Sequence, residues 1–227
     1  MSIEHSILHQ HRDFYVVDKP AGIGMHSDQG AGLMVQLSKQ LKQPLWPVHR
    51  LDKDTSGLLL VARHADAAAG LSQLFAKQQV SKIYLAVASG KPKKKQGWIQ
   101  GGMRKSRNGN WILSRDREHF ARTQFFSYHL DIGERLYLLR PFSGRTHQLR
   151  VALKSLSCPI TGDRRYGGAT ASRMLLHAYA LRFSWQQQMI TLTSEVAAVD
   201  SFSKLTDSTD EIRQALAQPF DLKWITP

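Results

Sequence analysis

Two carboxylates, two bases, a histidine and two hydroxyls crowd into one short stretch, His49-Arg50-Leu51-Asp52-Lys53-Asp54-Thr55-Ser56. Gly57 punctuates the chain, and residues 58–62 then form an apolar run of strand length. A polar cluster feeding into a buried strand fixes charged groups at the rim of a rigid core, a placement that chemistry needs. Asp52 has Arg50 and Lys53 beside it. Nearby cations favour the ionised carboxylate that a nucleophile or base requires. Asp54 reads as a solvated turn residue. The competing reading of the whole stretch is a polar turn before a core strand.

A second stretch has the same character. Pro141-Phe142-Ser143-Gly144-Arg145-Thr146-His147-Gln148-Leu149-Arg150 leads from a strand pattern into a helix with Leu149, Leu153 and Leu156 at core spacing. Together the two stretches carry a resemblance. His-Arg-Leu-Asp-x-x-Thr-Ser-Gly-Leu-Leu-Leu-Val-Ala resembles the signature of the RluA-type pseudouridine synthases. The second stretch is similar to that family's Pro-x-Thr-Gly-Arg-Thr/Ser-His-Gln-Ile/Leu-Arg, with Ser143 in place of threonine. Either hydroxyl can cap the turn. Lys19-Pro20-Ala21-Gly22, the strand around Lys82 and Tyr84, the loop from Pro159 to Gly167 (Pro-Ile-x-Gly-Asp-x-x-Tyr-Gly) and Leu175-Leu176-His177-Ala178 resemble further family motifs, in the family's order.

The resemblance implies roles for Asp52, Tyr84 and Arg150, and Arg50, His49, Arg145 and His147 are further candidates beside them. Asp52 is the catalytic aspartate. Tyr84 packs on the target uracil and is a candidate in a later proton transfer. Arg150 pairs with the aspartate, where a bidentate guanidinium holds a carboxylate charged and oriented. Arg50 fills the gap left by a flipped nucleotide. His49, Arg145 and His147 support the loops or touch phosphate. The implied fold is α+β, a long mixed, mainly antiparallel sheet flanked by helices, in one catalytic domain over residues 1–227. Some relatives add an N-terminal RNA-binding domain, which is not expected here. The implied reaction breaks the glycosidic bond of a uridine in ribosomal or transfer RNA, turns the uracil, and joins its C5 to the sugar. It needs no cofactor or metal. Two other readings stand beside it: an RNA-binding protein with the same fold and no catalysis, and a hydrolase built from Ser56, His49 or His147, and Asp52. The hydrolase reading lacks a nucleophile elbow.

Composition bounds the same choice. The chain has 227 residues, 31 Lys and Arg against 18 Asp and Glu, and a net charge of +13. Such an excess suits a polyanionic partner, by counterion release and steering. One cysteine, Cys158, excludes an internal disulfide framework and a multi-cysteine zinc site, and reads as a small buried hydrophobe. His5, His9 and His11 do not share one helical face, so they read as a polar lead-in and not a metal site. With no membrane-length apolar run and no signal-peptide pattern, a cytoplasmic monomer is expected.

The remaining elements follow in order. Residues 14–17 read as a strand. Gly22, Gly24, Gly30 and Gly32 match neither a dinucleotide fingerprint nor a P-loop and read as a loop. Leu33, Met34, Leu37 and Leu41 mark a short helix, and Ala67, Ala68, Leu71, Leu74 and Phe75 a second over residues 64–79. Residues 81–88, 120–129, 134–140 and 189–193 read as strands, with Asp131-Ile132-Gly133 as a hairpin turn. The stretch 91–118, rich in Lys and Arg with Trp98 and Trp111 interleaved, is expected as a basic insertion suited to RNA contact. Ser208 with Glu211 reads as a capping box opening a helix within residues 205–227.

Overall fold

The computed structural model describes residues 6–26 and 31–224, so His5 and Gly30 lie outside the described residues. In chain order the elements are β1 (Ser6–Gln10), β2 (Phe14–Lys19), α1 (Leu33–Gln40), β3 (Trp46–Pro47), β4 (Ser56–Ala62), α2 (Ala65–Ala76), β5 (Ser81–Ser89), β6 (Gln96–Lys105), β7 (Trp111–Ser114), β8 (Ala121–Asp131), β9 (Glu134–Pro141), α3 (Gln148–Ser155), β10 (Leu176–Trp185), β11 (Gln188–Thr193) and α4 (Asp210–Ala217), with a 3-10 turn at Asp200–Leu205 before α4. The class is α+β. The chain comprises two compact units. The first comprises residues up to Ser81 together with His177–Glu195. The second comprises Lys82–Leu176 and the residues from Val196 on.

The first unit is organised around β4. Leu58, Leu59, Leu60, Val61 and Ala62 are all fully buried, and each large side chain there contributes about 1.5–3 kcal/mol. A strand apolar on both faces must be covered on both. Leu58, Leu60 and Ala62 pack with Phe14, Val16, Leu181 and Phe183, and α2 covers them with Ala67 and Leu71. Antiparallel β2 flanks β4 along Leu58–Ala62. On the other side β4 meets β10 in parallel at Ser56 and Gly57 and β3 at Val61 and Ala62. β1 extends the sheet beyond β2, and β11 pairs with β10. Asp13, in the β1–β2 turn, accepts bonds from Trp185 Nε1 (2.8 Å), Gln186 Nε2 (3.0 Å) and His64 Nε2 (3.2 Å), tying that turn to the β10–β11 hairpin and to the start of α2.

The second unit is an antiparallel sheet in the order β5-β9-β8-β6-β7. The residues expected as a basic insertion are built into it. β6 pairs with β8 from Gln96↔Phe126 to Gly101↔Ala121, and β7 closes its far end. This segment has no need of its own core, because Ile99 and Met103 insert into cores shared with Phe125 and Val151. α3 covers one face through Leu149, Ala152 and Leu153, against Ala86, Tyr137 and Leu139. α4 is capped one residue later than expected: Thr209, not Ser208, accepts the amide of Ile212, while the Ser208 hydroxyl donates to Leu205 O. No helix among the described residues is long and apolar enough to cross a membrane.

Gly57 has a steric reason to be glycine. Its φ is +104°, and an added Cβ would meet Ala178 O across the parallel pairing within clash distance. Gly57→Ala is expected to lower unfolding free energy by about 2–4 kcal/mol, from backbone strain plus the clash. Chemical denaturation measures this, and an unchanged midpoint would show that the β4–β10 approach is not tight.

Candidate active site

Asp52 sits on the loop leading into β4, half-buried, between buried Leu51 and the exposed side chains of Lys53 and Asp54. The loop is anchored from both ends. Val48 and Leu51 point into the core. The amide of Thr55 donates to Asp52 O at 3.1 Å, closing a turn around the aspartate. Below it lies Lys19, fully buried at the end of β2. Its ammonium donates to Thr55 O (2.7 Å), Lys53 O (2.9 Å) and Pro20 O (2.9 Å). Three donors thus meet three carbonyls, two of them in the Asp52 loop, and the amide of Gly22 adds a bond to Lys53 O. Burial pushes the Lys19 ammonium down to about 8, opposed by the carboxylates of Asp54 and Asp52. The Lys-Pro-x-Gly motif is therefore the floor of the aspartate loop.

The other residues expected in this unit divide. Arg50 is exposed. His49 is turned inward: its Nε2 accepts the amide of Leu60 at 2.9 Å, and its ring stacks on Phe75 with centroids 4.4 Å apart. It supports β4. Ser56, a nucleophile in the hydrolase reading, is buried with its Oγ 2.9 Å from Nδ1 of buried His177. This pair locks the short parallel β4–β10 contact just after the aspartate loop. His9 and His11 pack on the Phe14 ring. Among the described residues no group of three or more His, Cys, Asp or Glu side chains could hold a metal.

In the second unit, Tyr84 is half-buried on β5, opposite Leu139 of β9, with its ring against the main core. The motif 141–150 builds a tight corner. Gln148 is buried and holds that corner from within: its Oε1 accepts from Ser143 Oγ (2.8 Å) and Arg145 N (3.0 Å), and its Nε2 donates to Arg122 O (3.0 Å) and Thr123 Oγ1 (3.0 Å). The serine hydroxyl also accepts the amide of Arg122 at 3.0 Å, so it ties the corner to β8 and does not cap the turn itself. Arg145 is exposed, while His147 is half-buried at the start of α3 in the left-handed region, φ 57°.

Arg150 has a partner that the sequence did not single out. Its Nε and Nη2 donate to Asp163 Oδ2 and Oδ1 at 2.7 and 2.8 Å, a bidentate pair with both residues buried. The guanidinium carbon lies 5.0 Å from the centre of the Tyr166 ring, a cation–π contact. Asp163 and Tyr166 both belong to the Gly-Asp-x-x-Tyr-Gly loop, and the Asp163 carboxylate also accepts the amide of Tyr166 (3.2 Å). That loop is bonded to β5 through Thr161 N and Val87 O (2.9 Å).

The basic stretch presents Arg104, Lys105, Arg107, Arg115 and Arg117 at the surface. Its two tryptophans are covered by cations, Trp98 by Arg122 at 4.6 Å and Trp111 by Lys105 at 5.7 Å.

Two outcomes follow from these contacts. Asp163→Ala leaves the Arg150 guanidinium buried without its carboxylate, so it should cost about 3–5 kcal/mol, read by urea unfolding. A cost under about 1 kcal/mol would mean that Arg150 has no need of Asp163. For Lys19, the unfolded chain keeps the ordinary value of 10.5 while the native value is about 8. Between these the unfolded state binds more protons, so stability rises with pH. The wild type should gain stability relative to Lys19→Met from pH 8 to pH 10.5. Parallel pH profiles would contradict the buried charge.

The chain as a whole is similar to known proteins. A family model described as RNA pseudouridylate synthase matches residues 13–155. An uncharacterized RNA pseudouridine synthase of Haemophilus influenzae is 43% identical over 222 residues, 96% of this chain and 99% of that protein. Ribosomal large subunit pseudouridine synthase D of Borreliella burgdorferi is 33% identical over 200 residues, 79% of this chain and 61% of that longer protein. The solved structure of human RNA Pseudouridylate Synthase Domain Containing 1 superposes with a TM-score of 0.79 at 27% identity, covering 96% of each chain. With the signature loop, the Lys19 floor and the corner before α3 all in place, the chain belongs to the RNA pseudouridine synthase family, RluA type, the isomerases that convert uridine in RNA to pseudouridine.

Proposed function

We propose that this enzyme isomerises specific uridines in ribosomal or transfer RNA, acting in the cytoplasm as a monomer and with Asp52 as the catalytic group. The observation that carries the reading is the placement of Asp52: a carboxylate on a loop closed on itself and clasped through its own carbonyls by buried Lys19. A carboxylate that must attack a sugar carbon or remove a sugar proton has to be held in place before substrate arrives. Tyr84 would pack on the target uracil, and Arg150 would supply the counter-charge for the aspartate. Exposed Arg50 suits the gap left by an extruded base, since an arginine plane stacks on neighbouring bases. Arg145 and the exposed cations of 91–118 suit phosphate. The name of the Borreliella burgdorferi relative makes ribosomal RNA the first substrate to try. No step calls on a cofactor.

The second reading, RNA binding without catalysis, asks for the basic surface and nothing of Asp52. The test separates the two. Pseudouridine is mapped in ribosomal and transfer RNA from cells with and without the gene, then after complementation with wild type or Asp52→Asn. One or a few uridines should lose modification in the deletion and regain it with wild type alone. Purified Asp52→Asn should bind that RNA within about threefold of wild type, because one charge outside the basic surface changes little. Restoration by Asp52→Asn would remove Asp52 from the chemistry. Equal loss of binding and turnover would make it a folding residue.

A further inference from the structure

Arg122, on β8, is a cation held in place with no anion beside it. Side chains alternate along the strand, so Thr123 and Phe125 face α3 while Arg122 and Gln124 face the other way. On neighbouring β6, Gln100 stands opposite Arg122 and Trp98 opposite Gln124, which puts Trp98 one diagonal step from Arg122. The guanidinium carbon lies 4.6 Å from the centre of the Trp98 ring and 6.0 Å from that of Phe142, and the two ring centres are 5.0 Å apart. All three residues are half-buried. The backbone of Arg122 is fixed as well. Its amide donates to Ser143 Oγ (3.0 Å), and its carbonyl accepts the amide of Phe142 (2.9 Å) and Nε2 of Gln148 (3.0 Å). The guanidinium N–H groups have no such partners among the described residues. Nε is buried without an acceptor, and no carboxylate forms an ion pair with the group. Neither Nη makes a hydrogen bond and neither is buried, so that edge of the fork reaches solvent.

We infer that Arg122 is a phosphate-binding residue: Trp98 and Phe142 hold its guanidinium in place, and its Nη edge takes an oxygen of one phosphodiester of the bound RNA. This rests on RNA being the substrate. A half-buried charge is normally balanced within the fold. Arg150 with Asp163, and Lys19 with its three carbonyls, follow that rule in this same chain. Arg122 departs from it, and an anion from outside supplies the balance. The aromatic rings attract the cation, but they leave its N–H donors unused. The surroundings select the sign of the ligand. The Arg140 guanidinium carbon lies 5.1 Å from the centre of the same Phe142 ring, and exposed Arg145 follows three residues later in the corner. Cations gathered in this way suit a polyanion. A planar fork matches two phosphate oxygens, and a contact to phosphate carries affinity without reading sequence. The whole site lies within the second unit.

The substitution Arg122→Met isolates this role. It removes the charge and keeps a long apolar stem against Trp98. Affinity of the full chain for a large-subunit ribosomal RNA transcript is measured by filter binding between about 50 and 200 mM salt. For Arg122→Met, Kd should rise about fivefold to tenfold, and by the same factor on an unrelated RNA of equal length. The slope of log Kd against log salt should become shallower by about 0.7–0.9, the share of one phosphate contact. Arg122→Lys restores the charge and should keep the wild-type slope. The urea midpoint of Arg122→Met should be unchanged or higher, because the fold supplies no anion that the change would strand. Turnover is followed by tritium release from the transcript labelled at uridine C5, the position that gives up its hydrogen when it bonds to the sugar. There KM should rise with Kd while kcat stays within about twofold. Unchanged affinity and slope in Arg122→Met overturn the proposal. So does a lowered urea midpoint with an unchanged slope, which would make Arg122 only a clasp on Trp98. Weakening confined to the transcript would mean a contact to a base and overturns it too. If wild type binds both RNAs but releases no tritium, the isomerase reading of this RNA fails by itself, while affinity and slope still decide the role of Arg122.

Discussion

The aspartate loop depends on a lysine that never reaches solvent. Lys19 carries one ammonium into a fully buried position and satisfies all three of its N–H groups on backbone carbonyls. A buried charge is tolerated only when it is hydrogen-bonded to capacity. The requirement works in both directions. The carbonyls of Lys53 and Thr55 must converge on one point, and that convergence fixes the backbone on either side of Asp54 and next to Asp52. The remaining constraints on the loop are steric and apolar. Gly57 lets β4 approach β10 at Ala178, and Leu51 and Val48 anchor the approach from the core.

The second unit uses the same strategy with different groups. Here the buried cation is Arg150, and its partner is the carboxylate of Asp163, beyond the rest of α3 and the following loop, with the Tyr166 ring against the guanidinium. Gln148 performs for this corner what Lys19 performs for the other loop: a buried polar side chain that bonds several backbone groups and so leaves the chain one conformation. In both units a buried polar side chain holds the backbone beside residues the sequence motifs single out. Fully satisfied polar networks of this kind specify one arrangement more strongly than apolar packing can. The charges of Arg50, Arg145 and the β6–β7 cations lie exposed at the surface, which suits groups that meet a flexible polyanion.

Much of this was legible from residue patterns. β4 announced itself as an unbroken apolar run, α2 by its alanine and leucine spacing, and the 131–133 turn by its glycine. The paired motifs pointed to Asp52 and to the corner before α3. What stayed hidden depended on contacts distant in sequence. Lys19 stood out only as a member of a motif, because nothing local says that its amine reaches carbonyls 34 and 36 residues away. Arg150 pairs with Asp163 through a helix and a loop that no period connects. The basic stretch 91–118 read as an insertion because its charges mask the alternation of Ile99 and Met103, which face the core. The β10–β11 turn carries Gln186 and Gln187 at positive φ, where glycine or asparagine would have signalled it. At α4 two hydroxyls stood side by side, and the structure caps with the second.

The proposed reaction requires Asp52 to perform the isomerisation, on a loop already set before RNA binds. The most direct measurement is tritium release by purified protein from ribosomal RNA transcribed with label at uridine C5, comparing wild type with Asp52→Asn at equal RNA occupancy. If Asp52 is the catalytic group, wild type releases up to one equivalent per modified uridine and the variant none above background. Release by the variant at a comparable rate would contradict this, because the carboxylate would then be part of the fold and not of the reaction.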